Sequence, residues 1–177
     1  MTSNSKAVQS IIQDFQSPEP EMVLKAIKTN RKEGNQDSFK ALLSLLKDTD
    51  EPLVEASIIE FLYDLKDEGS VPVLIEAIQD DEFAFYHNFL VAGFWQSAID
   101  GSDYLEDFVT VAINGEYMTS LEALTVVENF DRAYNQDLLL DLEADLNEAQ
   151  EKEENDDKKA LLVSLSDVIR NLPIEGE

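Results

Sequence analysis

Apolar residues recur at spacings of three and four along nearly the whole chain, and this pattern itself repeats after 32 to 34 positions. When Ser38–Asp48 is set over Ser70–Asp80, apolar residues coincide at five positions, and Gly69-Ser70 falls over Gly101-Ser102 at the same offset. No run of strict alternation is long enough for a convincing strand. A period of this length with two helices per unit is typical of an α-solenoid.

Turn signals divide the chain into helical segments. Clusters of Gly, Pro, Asp, Asn and Ser recur along the chain, as at Glu33-Gly34-Asn35 and Asp50-Glu51-Pro52. Because one helix pair cannot bury its apolar face alone, neighbouring pairs must stack. The sequence therefore predicts an all-α, right-handed α-α superhelix of about nine helices in antiparallel pairs.

The predicted helices form one domain, 1–177, in which the ends differ from the middle. Terminal repeats need a polar outer face, so the helices near 4–16 and 157–172 are expected to act as caps. The predicted parts are N-terminal capping helices in 1–34, central repeats in 35–131, and C-terminal helices with a cap in 132–177.

One unit carries a family resemblance. Asp50–Leu62, continued by Gly69–Asp81, resembles the short bacterial HEAT-like repeat, the type also found in phycobilisome lyases. That unit starts with an Asp-x-x-Val/Leu turn and a first helix of small and apolar residues. A Gly-x-x-x-Pro-Leu-Leu-like turn and a second helix ending in Asp follow. The resemblance implies a HEAT-like solenoid and a scaffold or inhibitor, and more rarely an enzyme subunit.

The rest of the chain follows this repeat less closely. Residues 35–48 match it as a second helix and 82–114 match in spacing, whereas 1–34 and 132–177 match only as helices. Where the repeat usually has an Arg after the Asp turn, this chain has Glu55 in one unit and His87 in the next.

The charge is strongly negative and unevenly distributed. The net charge is −25, yet residues 1–47 hold 7 basic and 5 acidic residues, and the 65 residues between Lys66 and Arg132 hold 14 acidic residues and no Lys or Arg. Such a surface repels phosphate backbones and anionic membranes, so nucleic acid and membrane are not the expected partners. A basic protein partner is favoured by electrostatic steering. The alternative is that the acidity only maintains solubility.

Composition excludes several site classes and suggests a compartment. The chain has no Cys, so it has no disulfide, no thiolate nucleophile and no Cys-based metal site. The absence of Cys fits a bacterial cytoplasm. The first ten residues lack the pattern of a signal peptide. Phe83–Ile99 has no charged residue but is shorter than the ~20 apolar residues of a membrane span, so a helix buried on several sides is expected.

The second helices of the three central units predict the candidate binding surface. Their core stripes are Phe39, Leu42, Leu43 and Leu46, then Val71, Leu74, Ile75 and Ile78, then Leu105, Phe108, Val109 and Ala112. The positions of these helices outside the core stripes form a second row, here called the ladder. Its side chains are small and mildly apolar, with acidic residues at the rim. The ladder residues are Ala41, Ser44, Leu45, Val73, Glu76, Ala77, Asp80, Asp107, Thr110, Val111 and Asn114.

This ladder is expected to line the concave face and to accept an amphipathic or basic segment of a partner. The alternative is that Leu45, Ala77 and Val111 only pack between repeats.

A second candidate surface is a possible aromatic patch. Tyr86, His87 and Trp95 belong to the aromatic segment before Ile99, and Tyr and Trp dominate the anchors of protein interfaces. Trp95 falls at the repeat position of Tyr63, which favours a structural role for it. His87, the one His, has no nucleophile or orienting partner near it in sequence, so no catalytic role is predicted.

The carboxylates do not form a recognisable metal or catalytic motif. Asp103, Glu106 and Asp107 share one predicted helix start, where the helix dipole favours acids without any catalysis. No EF-hand spacing, P-loop or nucleophile elbow occurs, so neither cofactor nor resident metal is predicted.

The resulting function hypothesis is a non-catalytic protein-binding module that is a monomer or weak homodimer. The first alternative is a small acidic inhibitor, such as an immunity-type protein that neutralises a basic toxin or nuclease. The second is a lyase-accessory subunit, against which the absence of Cys and of a clear chromophore pocket argue.

Overall fold

The computed structural model describes residues 3–176 of the chain, with side chains from residue 6. Its described part contains ten α-helices and three 3₁₀ segments, one α-helix more than the predicted number of about nine. The α-helices are α1 (Ser3–Asp14), α2 (Pro20–Glu33), α3 (Gln36–Asp48), α4 (Pro52–Leu62), α5 (Val71–Ile78), α6 (His87–Gln96), α7 (Leu105–Asn114), α8 (Tyr117–Val127), α9 (Gln136–Lys152) and α10 (Asp156–Arg170). The 3₁₀ segments are Glu68–Ser70, Asp81–Tyr86 and Ser102–Tyr104. Residues 1, 2 and 177 of the predicted domain lie outside the described residues.

Short connections make consecutive helices antiparallel, so alternate helices share a layer. In the odd-numbered layer α1 packs on α3, α3 on α5, and α7 on α9. In the even-numbered layer α2 packs on α4, α4 on α6, α6 on α8, and α8 on α10. This two-layer stack of helix pairs is an α-solenoid, as the repeat period predicts. The division into caps and central repeats remains a prediction.

Local signals in the sequence explain where the central helices begin. The Asn35 side chain accepts a hydrogen bond from the Ser38 N–H at 3.1 Å, and the Ser38 hydroxyl accepts one from the Asn35 N–H at 2.9 Å. This reciprocal pair satisfies two backbone donors at the start of α3. Pro20 and Pro52 occupy the first positions of α2 and α4, where a missing N–H costs no hydrogen bond.

The predicted core stripes of α3, α5 and α7 are confirmed. Every residue in them is buried, with Leu42, Leu46, Leu74, Phe108 and Ala112 completely inaccessible to solvent. The core is continuous from Ile11 to Leu172. Burial of these stripes between the two layers is the main force that holds the stack together.

The expectation of one helix over Phe83–Ile99 is wrong in its bounds, whereas its burial on several sides is confirmed, since five consecutive residues from Leu90 to Phe94 are buried. The segment begins as the 3₁₀ segment Asp81–Tyr86, and α6 runs only from His87 to Gln96. Phe85 and Trp95 are exposed, whereas Leu90 and Val91 are completely buried. Tertiary packing covers only the sides of this segment that meet α4, α5 and α8.

Ion pairs connect successive repeats on the surface. Arg31 Nη1 lies 2.8 Å from Asp64 Oδ2, and Lys40 Nζ lies 2.8 Å from Glu76 Oε2. Lys47 also pairs with Glu82. In each pair the cation belongs to one unit and the anion to the next. The basic residues of the N-terminal part therefore neutralise some of the acidic residues in the part that follows.

Candidate functional site

The predicted ladder occupies the face of the odd-numbered layer but is only partly exposed. Val73, Ala77 and Val111 are buried, so the expectation that they face outward is wrong. Their burial in the core agrees with the alternative that Leu45, Ala77 and Val111 pack between repeats, although Leu45 is only partly buried. Ala41, Leu45, Asp80 and Asp107 are half-buried, and Ser44, Glu76, Thr110 and Asn114 are exposed.

Five of the ladder residues line a cleft between α3 and α5, here called the α3/α5 cleft. Its volume is about 210 Å³, and the ladder residues in it are Ser44, Val73, Glu76, Ala77 and Asp80. Lys40 and Lys47 line the same cleft, and each forms an ion pair with an acid of the following unit. This cleft is therefore electrostatically balanced.

Four further ladder residues line a second cleft, the α5/α7 cleft, whose volume is about 250 Å³. They are Asp107, Thr110, Val111 and Asn114. Because α5 and α7 pack less closely than the other odd-numbered neighbours, space remains between them. The lining includes the carboxylates of Asp81, Asp107 and Glu116 but no Lys or Arg. The lining of this cleft therefore has three acidic side chains and, unlike that of the α3/α5 cleft, no Lys or Arg.

The ladder carboxylates differ in their partners. Glu76 is bound by Lys40, and the Asp80 carboxylate accepts a hydrogen bond from the Glu82 N–H at 2.9 Å. Asp107 accepts a hydrogen bond from the neutral side-chain amide of Gln79. The partner of Asp107 is therefore an uncharged amide, whereas Glu76 is paired with a cation.

His87 is buried at the base of the α5/α7 cleft. Its Nε2 atom lies 3.1 Å from the Asp80 carbonyl oxygen and donates to it, because a carbonyl can only accept. This contact fixes the ring against the turn that precedes α6. The geometry thus gives His87 a structural contact with the Asp80 carbonyl.

The three residues of the predicted aromatic patch do not lie together. Tyr86 and His87 are buried at the start of α6, whereas Trp95 is 44% exposed at its last turn. The Tyr86 hydroxyl donates to Glu55 at 3.1 Å, and Trp95 Nε1 donates to Glu122 at 2.6 Å. Burial, followed by the Glu55 hydrogen bond, raises the pKa of Tyr86. The aromatic residues are thus anchored separately along α6.

A third cleft, of about 190 Å³, was not found from the sequence. It lies where α2 ends and α3 begins, and its lining includes Asn30, Phe39 and Phe61. The Asn30 Oδ1 atom is buried without a hydrogen-bond partner. The available signal was a polar residue in an apolar stripe, since Val23, Ile27 and Asn30 follow the helical spacing of four and three.

Two chemical properties of the described residues bear on the class of protein. Over residues 3–176, no helix combines the length and the apolar content needed to cross a bilayer. Within the same range, no three His, Cys, Asp or Glu side chains are arranged to hold a metal ion.

The comparisons with known proteins support one family. Residues 6–86 match the family model of HEAT repeats. The match runs from α1 to the 3₁₀ segment before α6, so it also covers residues 6–34, for which the sequence pattern indicated only helices. No curated protein and no solved structure matches the chain significantly. The match supports a HEAT-like repeat family for this chain, and its stacked helix pairs have the α-solenoid fold that such repeats form.

Proposed function

We propose that this protein is a non-catalytic protein-binding module whose odd-numbered face docks a basic partner at the α3/α5 and α5/α7 clefts. HEAT repeats commonly serve as scaffolds for protein interaction, and solenoids use their extended faces for binding. The observation that carries the proposal is the lining of the α5/α7 cleft by three carboxylates without a Lys or Arg. A Lys or Arg side chain of a partner would supply the missing positive charge.

The shape of the face supports a segment rather than a small molecule as the occupant. The two clefts share the α5 helix, and Ser44, Thr110 and Asn114 offer exposed polar atoms along them. An extended or helical segment of a partner protein can place successive side chains into neighbouring clefts. A nucleic acid would bring phosphate charge to an already negative face, so it is not part of the proposal.

The bacterial cytoplasm, the phycobilisome-lyase type of repeat and a monomeric or weakly dimeric state belong to the same proposal. The Cys-free composition supports the compartment, and Asp50–Leu62 with Gly69–Asp81 supports the type of repeat. A net charge of −25 on each copy opposes tight self-association.

The proposal is tested by affinity capture. The chain is immobilised, lysate of the source cell is applied at low salt, and bound proteins are eluted with a salt gradient. The variant is the pair Asp107→Lys and Thr110→Arg, which places two cations at the α5/α7 cleft. The matched control is Asp145→Lys with Ser164→Arg, which changes the net charge equally at exposed positions of α9 and α10. Glu76 and Asp80 are left unchanged because Glu76 pairs with Lys40 and Asp80 accepts from the backbone N–H of Glu82, whereas the variant removes only the side-chain hydrogen bond from Gln79 to Asp107.

We expect one basic protein to elute from the unmodified chain at a defined salt concentration and from the control at a similar one. The Asp107→Lys/Thr110→Arg variant should lose it, because like charges now face each other. Equal retention by this variant and the control would contradict the cleft assignment. If no specific basic protein is captured, the proposal is wrong, and the acidic residues of this face serve only to keep the protein in solution. Identification of the captured protein as a toxin or nuclease would select the inhibitor alternative.

A further inference from the structure

Large apolar side chains remain exposed at the first turns of four successive segments of the even-numbered layer. They are Met22 in α2, Leu53 in α4, Phe85 just before α6 and Met118 in α8, with exposed fractions of 39%, 73%, 78% and 47%. Leu53 and Phe85 are the two most exposed large apolar residues among those described. The four residues are here called the first-turn row.

The repeat brings these four side chains to one edge of the solenoid. The spacings in sequence are 31, 32 and 33 positions, which match the repeat period. The even-numbered helices are parallel neighbours, so their first turns lie at the same end of the layer. The hydrogen bond from Tyr86 to Glu55, at 3.1 Å, directly joins the end of the 3₁₀ segment to the first turn of α4.

The fold does not require apolar residues at these positions. Val23 and Val54, the residues that follow Met22 and Leu53, are buried and form the core contact of each first turn. The preceding position points to solvent, where a polar residue would serve the fold equally well. Single exposed apolar residues are ordinary on a protein surface. Four of them at one repeat position form a recurring pattern that the core does not explain.

The sequence around the first-turn row is acidic, and Lys47 of α3 pairs with one of these acids, Glu82. The four stretches 17–22, 49–55, 79–85 and 114–118 contain nine acidic residues and no Lys or Arg. These acids are Glu19, Glu21, Asp50, Glu51, Glu55, Asp80, Asp81, Glu82 and Glu116. An apolar row with a negative rim is complementary to an apolar stripe with basic flanks. A second copy of this chain has the same negative rim, so it is a poor occupant.

We infer that the first-turn row is a docking edge for a basic amphipathic helix of a partner protein. Packed helices lie about 8–10 Å apart, so successive anchors of the row have about that spacing. Seven residues of an α-helix rise about 10.5 Å, so apolar residues at every seventh position match the row on one face. The inference rests on the proposed protein-binding function but places the anchors on an adjoining surface, the edge of the even-numbered layer. This edge shares the carboxylates of Asp81 and Glu116 with the α5/α7 cleft, whereas its apolar anchors do not line that cleft.

The test uses a labelled synthetic peptide of about 22 residues with Leu at every seventh position and Lys beside each Leu, a length that spans three heptads. Two comparison peptides are used. One has Glu in place of Lys, and the other has the same composition with the Leu residues moved off the heptad spacing. Binding is measured by fluorescence anisotropy on the whole chain.

The protein variants separate the edge from the clefts. Leu53→Ser/Phe85→Ser removes the two most exposed anchors, and Leu140→Ser/Val163→Ser removes two exposed apolar residues elsewhere, on α9 and α10. Asp107→Lys/Thr110→Arg blocks the α5/α7 cleft. Because all the residues replaced by Ser are exposed, each variant is expected to keep its helical circular dichroism and cooperative unfolding.

We expect Leu53→Ser/Phe85→Ser to weaken binding of the basic heptad peptide by about tenfold or more, as loss of interface anchors does. Leu140→Ser/Val163→Ser should bind as the unmodified chain does, and the acidic peptide should not bind. Equal affinity of the Leu53→Ser/Phe85→Ser variant, or of the off-heptad peptide, would overturn the inference. Loss of binding in the Asp107→Lys/Thr110→Arg variant alone would place the peptide in the clefts. That result would support the proposed function and overturn the inference about the edge. If no peptide binds the unmodified chain, the inference about the edge is overturned. The proposed function is then decided separately, by the capture experiment on the clefts.

Discussion

The Tyr134 hydroxyl donates a hydrogen bond to the Ser102 carbonyl oxygen at 2.8 Å, across 32 positions of sequence. Both residues are buried, and the backbone at Tyr134 also pairs with the C-terminal segment, where its N–H donates to the Pro173 carbonyl at 2.8 Å. One tyrosine therefore holds the turn before α7, the turn before α9 and the end of the chain together.

Replacing Tyr134 by Phe should lower the free energy of unfolding by about 1–3 kcal/mol, because the Ser102 carbonyl loses its partner in a buried place. The measurement is urea denaturation at neutral pH. Tyr117→Phe, at an exposed tyrosine, is the matched control and should change little. A Tyr134→Phe protein as stable as the unmodified chain would show that the hydrogen bond does not support the fold.

The same tyrosine predicts an alkaline limit of stability. Burial raises the pKa of Tyr134 to about 12, with Arg132 opposing this effect and Asp100 and Asp131 adding to it. Because the pKa is higher in the folded state than the ordinary value of 10.0, the contribution is complete below pH 10 and is lost as the pH rises toward about 12. Unfolding free energies measured from about pH 9 to about pH 12 should fall less steeply for Tyr134→Phe than for the unmodified chain. Parallel curves would contradict this assignment.

Two glycines at equivalent repeat positions should respond differently to the same substitution. A Cβ on Gly101 would lie 2.7 Å from the Phe94 ring and 2.9 Å from the Phe108 ring, and these rings pack edge to face in the core. A Cβ on Gly69 would meet the side chains of Asp67 and Gln36 at 3.1 Å and 3.2 Å, and both can move. Gly101→Ala should therefore cost about 1–3 kcal/mol from overpacking, while Gly69→Ala costs less.

Thermal and urea unfolding of the two variants, side by side, gives this comparison. The Gly69→Ala protein serves as the matched control, since it removes the same backbone freedom at the same repeat position. Equal destabilisation would show that the effect comes from the backbone and not from the rings of Phe94 and Phe108.

Asp64 predicts an acid-side dependence of stability. Lys66, followed by Arg31, lowers the pKa of the Asp64 carboxyl below its usual value of 3.8. A lowered pKa contributes stability that is present above the usual value and is lost as the pH falls through the folded value. Asp64→Asn should therefore flatten the fall of unfolding free energy below about pH 4.

The matched control for this prediction is Asp141→Asn, which removes the same charge from an exposed position of α9. Since the chain is strongly negative, loss of any carboxylate relieves some repulsion, and the control measures that general effect. Identical acid profiles for the two variants would show that the cations beside Asp64 do not stabilise the folded state.

Trp95 is the one tryptophan of the chain and reports on one end of α6. Its indole N–H donates to Glu122 at 2.6 Å, and the ring is 44% exposed. Glu122→Ala should release the indole and increase its quenching by acrylamide, with a red shift of emission. Glu128→Ala, at an exposed acid of the same region, should leave both unchanged. Binding of the basic heptad peptide at the first-turn row should leave the emission unchanged, because Phe85 lies at the opposite end of this helix.

Much of the fold could be predicted because the repeat pattern records which side of each helix is buried. The stripes of α3, α5 and α7 follow directly from the spacing of three and four, and the starts of α3 at the Asn35 cap and of α4 at Pro52 follow from local chemistry. The candidate site was less predictable. Val73 and Val111 are small apolar residues, which occur both in grooves and in cores. Which of the two places they take depends on how closely the neighbouring helix packs against them.

The sequence by itself determined the all-helical stack of pairs, its negative charge and the positions of its core, because periodicity and composition are properties of the chain. Tertiary structure decided which charges are free and which apolar residues stay exposed. Lys40 compensates Glu76 from 36 positions away, and His87 is fixed by the turn at Asp80. The first-turn row likewise becomes one surface only when parallel helices bring Leu53 and Phe85 to the same edge, since proximity between repeats is created by packing and not by sequence distance.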